Sequence, residues 1–370
     1  MVEDENGIEQ AKCYYVRLRA ANSYGQSLSS NTEQVHTTGL PRWVYDAGFT
    51  DETASYDPVT GVLTVKEDIT LTDTIRLPDD TDITIDLNSK TITAPAGEPA
   101  IRAEDNADVK LTIKDSHPED PGKIVANDGQ DNSSGDAESG QPAIDFGEAG
   151  NGSSIKISDG TTIQGGNGGN ATGTSGAGGN GGNGILGGDN TQVTVDKNAN
   201  VVGGNGGNGS ESGNGGNGAT GKGGAVTVKD GANATGGNGG NAGDSGIGGS
   251  GGAGASSTGG HVSVDQGNAT GGNGGNAEGA GTGGSGGNGA SGSNVENNGT
   301  TVGGNGGNIG SGGTEGAGGS GAVQPSGTPS GSGSSEDGKE GVGSDLPGWI
   351  LSAGLRDEDV DYDPDTNTIK

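Results

Sequence analysis

The sequence predicts an all-β protein built mainly as a parallel β-solenoid, and three observations support that prediction. Short apolar segments recur between residues 57 and 157, with turn residues and no helical stretch between them. Farther along, a glycine-rich block recurs together with a small strand signal. Only 26% of the residues are hydrophobic and 3% aromatic, which is too little apolar material for an ordinary compact core.

The bulk charge and the chain start exclude several classes of protein. The formal net charge is -31, and no arginine occurs between Arg102 and Arg356, so we expect no nucleic-acid partner. No run of eighteen apolar residues occurs, so no membrane insertion is predicted, and the start does not resemble a signal peptide. If the protein is exported, its targeting and anchoring parts are expected to lie outside this sequence.

Residues 1–40 carry the pattern of the end of a β-sandwich. Residues 13–22 alternate apolar and polar side chains, which predicts a half-buried strand, and a Ser-Tyr-Gly-Gln-Ser turn leads to a second strand near 34–37. This order resembles the last hairpin of a fibronectin type III domain. Such sandwiches need about 100 residues, so we expect residues 1–40 to be a C-terminal remnant of one.

Residues 41–152 are predicted to start the solenoid module. The apolar segments lie at 62–65, 69–71, 75–77, 83–87, 109–113, 124 and 155–157. In a parallel solenoid each coil buries such residues against the coils above and below it. An antiparallel sandwich remains an alternative for residues 57–113.

Residues 153–321 are predicted to be a glycine-rich repeat of the same solenoid. The motif Gly-Gly-Asn-Gly-Gly-Asn opens at Gly165, Gly203, Gly236, Gly271 and Gly303, that is 38, 33, 35 and 32 residues apart. A strand signal precedes each motif by 8 to 10 residues, at 155–157, 193–195, 226–228, 262–264 and, in degraded form, around Val295. Because the two features move together, they form one structural unit.

A second glycine-rich run follows each of the first four motifs, at 178–183, 213–218, 248–252 and 283–288. The Gly-Gly-X triplets match the three residues per turn of a polyproline-II helix, which would place X along one ridge. We therefore expect polyglycine-II hairpins folded out of the rungs, and the ridge candidates are Asn167, Asn170, Asn205, Asn208, Asn238, Asn241, Asn273, Asn276, Asn305 and Asn308. Disordered coil and, more remotely, collagen are the alternatives.

The module is predicted to end in a Gly/Ser/Pro linker at residues 322–346. Residues 347–366 then align without gaps on residues 41–60, with ten identical positions. Residues 347–370 therefore look like the truncated start of a second module, and the chain like a fragment of a larger repetitive protein.

Few residues carry the patterns of chemistry. Ser250 and Ser285 match the G-x-S-x-G nucleophile pattern, but glycine tracts match it by composition, so no catalytic residue is predicted. The alternate acids Asp359, Asp361, Asp363 and Asp365 resemble a hard-cation site. The copy at residues 53–59 keeps only one of these four acids, which favours a solvated turn, and we expect no cofactor.

The solenoid pattern from residue 57 to 321 resembles the right-handed β-helix of pectate-lyase-like proteins, which is found in large bacterial adhesins and cell-wall proteins. The Gly-Gly-Asn arms resemble the polyglycine-II bundles of phage tail-fibre adhesins and snow-flea antifreeze proteins, and more distantly the glycine repeats of mycobacterial surface proteins. These resemblances imply export and surface display. Pectate-lyase-like enzymes place cationic side chains and acids on the coil surface, whereas this repeat region has no arginine and only scattered lysines.

The sequence therefore predicts a non-enzymatic structural scaffold or adhesin segment of a large, extracellular bacterial cell-surface protein. Its expected partners are glycans, other cell surfaces and neighbouring modules of the same chain. A carbohydrate-binding solenoid is the alternative, although no aromatic residue lies between Phe146 and Trp349 for sugar stacking. An ice-binding protein and a pectate-lyase-like enzyme are weaker alternatives.

Overall fold

The fold comes from a computed structural model that describes residues 13–17, 19–30, 33–36, 39–150, 152–341, 362–363 and 368–369. Its helix is α1 (Arg42–Asp46). The strands are β1 (Cys13–Val16), β2 (Ala21–Asn22), β3 (Gly25–Gln26), β4 (Glu33–His36), β5 (Ala54–Asp57), β6 (Val62–Val65), β7 (Ile69–Thr70), β8 (Ile75–Leu77), β9 (Asp82–Asp86), β10 (Thr91–Thr93), β11 (Ile101–Ala103), β12 (Lys110–Lys114), β13 (Lys123–Val125), β14 (Ile144–Phe146), β15 (Ser154–Ile157), β16 (Thr162–Gln164), β17 (Ile185–Asp189), β18 (Gln192–Val195), β19 (Asn200–Val202), β20 (Ala219–Lys222), β21 (Val226–Lys229), β22 (Asn233–Thr235), β23 (Ala255–Thr270), β24 (Ala290–Val302), β25 (Ala322–Val323), β26 (Ser334–Glu336), β27 (Tyr362–Asp363) and β28 (Thr368–Ile369).

The N-terminal strands form two small antiparallel pairs. β1 pairs with β4, and β2 pairs with β3 across the predicted turn. The side chains of β1 and β4 lie outside the described residues, so the apolar face expected on residues 13–22 stays a prediction. The same holds for the resemblance to a fibronectin type III hairpin.

A sheet of 22 strands, almost all parallel, forms a β-solenoid. Each strand pairs with the strand about one rung earlier and one rung later, so equivalent side chains stack in columns. One buried column runs Ile83, Leu111, Ile155, Val193, Val226, Val262 and Val295. The predicted strand signals therefore lie in register, and the antiparallel alternative for residues 57–113 is wrong: β5 with β6 is the single antiparallel pair in this sheet.

The buried side chains of one column become smaller along the chain. In a second column the stacked residues change from isoleucine through valine to alanine and then threonine: Ile124, Ile163, Val201, Ala234, Ala269 and Thr301. All are buried. A fully buried isoleucine or valine contributes about 1.5–3 kcal/mol, so the apolar contribution per rung falls as the glycine content rises.

Helix α1 covers the open N-terminal end of this interior. Pro41 precedes it, and Val44 is fully buried on the side that packs against β8. Leu40 and Phe49 on either side of the helix are buried in the same cluster. The helix thus acts as the terminal cap that an open solenoid needs, because the first rung has no earlier rung to cover it.

Glycine-rich arms fold out of successive rungs and stack into a bundle of two layers. The first layer contains the arms 126–131, 165–170, 203–208, 236–241, 271–276, 303–308 and 337–341. The second layer contains the arms 137–142, 178–183, 212–217, 248–253, 283–288 and 315–320. Arms within a layer run parallel, whereas hydrogen bonds between the layers have antiparallel register, as expected for hairpins.

The backbone N–H groups of each triplet point in three directions. At position 1, Gly206 donates to the carbonyl of Asn238 in the next arm of its layer, at 2.8 Å. At position 2, Gly207 donates to the carbonyl of Gly179 in the other layer, also at 2.8 Å. At position 3, the N–H of Asn208 points outward to the Oδ1 of Asn170, at 3.0 Å. This period of three is that of a polyglycine-II helix, and an ordered arrangement replaces the disordered alternative.

Close packing on two sides is what requires glycine. A Cβ on Gly206 at position 1 would meet the carbonyl of Gly213 in the other layer. A Cβ on Gly207 at position 2 would meet the carbonyl of Gly169 in the preceding arm of its own layer. Position 3 has room for a side chain, which explains the Gly-Gly-X triplet, and position 1 takes one only next to the hairpin tips, at Ser212 and Glu315.

Residues 322–341 differ from the predicted linker. β25 and β26 pair in parallel with β24, and residues 337–341 form an arm of the first layer. Asp337 and Glu340 stand at position 1, and no second-layer arm follows among the described residues to collide with them. The Oδ1 of Asp337 accepts the N–H of Gly321 at 2.8 Å, as an arm carbonyl does elsewhere.

The hairpin at residues 126–142 was not predicted, because it lacks the Gly-Gly-Asn motif. Gln130, Glu138 and Gln141 occupy position 2, where the repeat has glycine. These are the first arms of their layers, so no earlier arm lies on the side to which a position-2 side chain projects. Gly129 and Gly140 remain at position 1, where a Cβ would meet a carbonyl of the other layer.

Two glycine substitutions test this packing. We expect Gly207→Ala to destabilise the fold by about 3 kcal/mol, because its methyl group has no space between buried backbones. Gly243→Ala is the matched control, since a Cβ there meets nothing within 4 Å, and its effect should stay within about 1 kcal/mol. Urea unfolding followed by circular dichroism measures both. Equal stability of the two variants would contradict the packing rule.

Candidate functional site: the asparagine ladder

The ten predicted ridge asparagines lie on one face of the bundle, the outer face of the first layer. We call this set the asparagine ladder. It has an inner column next to the strands, which is Asn167, Asn205, Asn238, Asn273 and Asn305. Its outer column, nearer the hairpin tips, is Asn170, Asn208, Asn241, Asn276 and Asn308.

Nine of the ten ladder oxygens accept a backbone N–H from the following arm. The Oδ1 of Asn205 accepts the N–H of Asn238, and that of Asn238 accepts the N–H of Asn273, both at 2.8 Å. The outer column repeats the arrangement at 2.7 to 3.0 Å. The sequence predicted the ridge but not this use of it: the amide oxygens hold successive arms together and are not open to a partner.

Two carboxylates start the ladder. Asp128 and Asp131 stand at position 3 of the first arm, and their Oδ1 atoms accept the N–H groups of Asn167 and Asn170 at 2.7 and 2.6 Å. The same oxygens accept the Nδ2 groups of these asparagines, at 3.1 and 3.2 Å. An aspartate can therefore replace an asparagine as the acceptor in this ladder.

The amide nitrogens of three inner-column asparagines are available to a partner. Asn205, Asn238 and Asn273 are exposed, and their Nδ2 groups donate to no other described residue. Because a backbone N–H fixes each Oδ1, the plane of each amide is set and its Nδ2 has a defined direction. Successive donors are about 4.8 Å apart, the spacing of the rungs.

A shallow groove of about 560 Å³ runs beside the inner column across the rungs. Its floor is glycine backbone, and the inner column forms one side. The other side is the last residue of successive strands, in register from rung to rung: Gln164, Val202, Thr235, Thr270, Val302 and Glu336. We call it the ladder groove. Sequence reasoning missed this groove, because strand ends and ridges lie together only once the arms are stacked.

Comparisons with known proteins leave the family open. No protein-family model matches the chain, and no curated protein matches it in sequence. Among solved structures, a springtail antifreeze protein from Granisotoma rainieri, a bundle of nine polyproline-II helices, is 23% identical over 60% of this chain and 96% of that chain. The TM-score is 0.15, so this likeness carries no argument about fold or function.

The second-layer face carries only part of such a ladder. Asn180 accepts the N–H of Asn214, and Asn214 accepts the N–H of Ser250, both at 2.8 Å. Among the described residues, the hydroxyl of Ser250 accepts no N–H from the following arm. The column of bonds through Asn180 and Asn214 therefore ends at Ser250. The continuous row of amides therefore belongs to the first-layer face alone.

The other candidate residues are not gathered into a site. Of the acids proposed for a cation, Asp359, Asp361 and Asp365 lie outside the described residues, as does the side chain of Asp363. Within the described ranges, no group of three or more His, Cys, Asp or Glu residues could hold a metal ion. No helix in that part of the chain is long and apolar enough to cross a bilayer.

A buried ion cluster links three rungs on another face of the solenoid. The Oδ2 of Asp196 lies 3.5 Å from the Nζ atoms of both Lys156 and Lys229, and its side chain is 4% exposed. Burial raises the pKa of Asp196, but polar interactions around its carboxylate, among them the charges of Lys229 and Lys156, outweigh burial, so the pKa is lowered overall. This cluster holds neighbouring rungs together.

Acid should weaken this cluster. Because the folded-state pKa of Asp196 is lowered, its stabilisation is present above the unfolded-state pKa of about 3.9 and is lost as the pH falls through the folded-state value. The free energy of unfolding should therefore decline below about pH 4, and Asp196→Asn should reduce that decline. Asp189→Asn is the control, because Asp189 is 58% exposed in its pair with Lys222. Urea unfolding at pH 3 to 7 measures both; the same pH dependence in both variants would contradict the assignment.

Removing one ladder oxygen tests the ladder itself. Asn238→Ala leaves the N–H of Asn273 without its acceptor, and we expect a loss of about 1 kcal/mol in the free energy of unfolding. Ser250→Ala, at the same triplet position in the other layer, removes no ladder bond and should leave stability unchanged. Thermal melting measures the stability of both variants. A melting temperature unchanged by Asn238→Ala would show that the ladder oxygen is not needed for stability.

Proposed function

We propose that this chain is a non-enzymatic structural segment of a large repetitive protein on a bacterial cell surface, where it acts as a scaffold in an adhesin-type assembly. The observation that supports this most is the use of the repeat in joining one unit to the next. In a triplet, the N–H groups of both glycines and the side-chain oxygen of the asparagine bond to neighbouring arms. Gly206, Gly207 and Asn208 illustrate this.

The bundle offers a firm surface without an apolar interior. Ordering a residue costs about 1–2 kcal/mol of backbone entropy, and glycine loses the most. Three sets of hydrogen bonds per triplet, together with close backbone packing, offset that cost. A segment whose backbone is held in this way suits a scaffold outside the cell.

Surface display is supported by charge and by modular organisation. A net charge of -31 keeps a repetitive protein soluble and separate from its copies. The gapless match of residues 347–366 to residues 41–60 fits a chain of repeated modules. The resemblance to large β-helical surface proteins supports the same proposal.

Intact cells of the source bacterium provide the test. An antibody raised against residues 41–341 should bind intact cells, and mild proteolysis of those cells should remove the signal. A chromosomal Gly207→Ala should reduce surface signal and cell attachment by weakening the bundle, whereas Gly243→Ala should not.

Two results would overturn the proposal. The first is antibody binding that requires cell lysis. The second is normal surface signal and attachment with Gly207→Ala, once unfolding measurements on the isolated chain have shown that this variant is destabilised.

A further inference from the structure

The ladder groove offers a ligand a row of oriented hydrogen-bond donors. The Nδ2 groups of Asn205, Asn238 and Asn273 lie on successive rungs, and their oxygens are held by the N–H groups of the arms that follow. Hydroxyl groups of Thr235 and Thr270 line the opposite side. A matching ligand must therefore present an acceptor at each step along the solenoid axis.

The groove is long and narrow, which indicates a linear polymer. It follows the strand ends from Gln164 to Glu336, five rung steps in register, so it extends for about 24 Å. A sugar unit in an extended polysaccharide advances by nearly the same distance as one rung. Each unit could thus meet one amide donor.

The surface chemistry of the groove favours an uncharged chain. Between Gln164 and Val302 the residues that line it are neutral, and charged residues occur only at the far end, at Glu336, Asp337 and Lys339. The net charge of -31 repels a polyanion. Glycine methylenes and the side chains of Val202 and Val302 offer apolar contact to the C–H faces of sugar rings.

We infer that the ladder groove binds a linear, neutral polysaccharide that lies along the solenoid axis, with its oxygens accepting from the inner-column amides. An extended peptide fits less well, because half of its backbone polar groups are donors and would face other donors. The groove contains no aromatic side chain, so each sugar contributes little and binding depends on several rungs acting together. This inference concerns a ligand and does not depend on the proposed scaffold role.

Affinity gel electrophoresis of the full chain tests the inference, with glucomannan and mixed-linkage β-glucan as neutral polymers and polygalacturonate as the acidic comparison. At least one neutral polymer should retard the protein, and polygalacturonate should not. The discriminating variant is N205D/N238D. Aspartate keeps the ladder oxygen, as Asp128 and Asp131 do, but removes the Nδ2 donor. We expect about a tenfold weaker retardation constant.

The matched control is N180D/N214D, which adds the same charges at the same triplet position on the second-layer face. It should bind the polymer like the unmodified chain, and thermal melting should show both double variants folded. No retardation by either neutral polymer, equal retardation by polygalacturonate, equal weakening in both double variants, or displacement by an extended neutral peptide would each overturn the inference. None of these results would bear on surface display.

Discussion

The structure depends on satisfying the backbone N–H groups of a chain that has few side chains to bury. In the inner arms of the first layer, a triplet directs its three N–H groups to the next arm, to the other layer and to an asparagine oxygen, as Gly206, Gly207 and Asn208 do. An unbonded buried N–H costs about 1–3 kcal/mol. Glycine is required because these bonds form only when backbones approach more closely than a Cβ permits, as at Gly206 and Gly207. The high glycine content therefore follows from this hydrogen bonding.

The solenoid and the bundle depend on each other. Parallel strands fix the rung spacing at about 4.8 Å, and the arms inherit it, so each amide of the ladder lies within reach of the following N–H. Over the same rungs one buried column changes from Ile163 to Ala269, and the hydrogen bonds of the arms compensate for the apolar contacts that are lost. Asparagine suits the outward position because its oxygen joins arms while its nitrogen stays available. At the start of the ladder, the aspartate oxygens of Asp128 and Asp131 join arms, but these side chains have no N–H to offer.

Much of this architecture could be predicted from the sequence. The short strand signals placed the rungs in register, and the Gly-Gly-X period gave the arms and the ridge asparagines. The hairpin at 126–142 and the last arm at 337–341 could not be predicted, because glycine is needed only where a neighbour is present, and a sequence does not show which arms have one. The bonded state of the ladder oxygens was missed for a related reason: the acceptor and its N–H are 32 to 38 residues apart.

The borders of the bundle bear on how such a protein can lengthen. Gln130, Glu138 and Gln141 in the first hairpin, and Asp337 and Glu340 in the last described arm, occupy triplet positions at which the inner arms have glycine, apart from Ser212 and Glu315 next to the hairpin tips. A unit inserted among the inner arms would find glycine on both sides, whereas an arm packed against the first hairpin or against residues 337–341 would meet bulky or charged side chains. This arrangement favours lengthening of the bundle by duplication of an inner unit. Bulky and charged side chains at such positions also oppose edge-to-edge pairing between copies, as charged residues on the edge strands of natural sheets do.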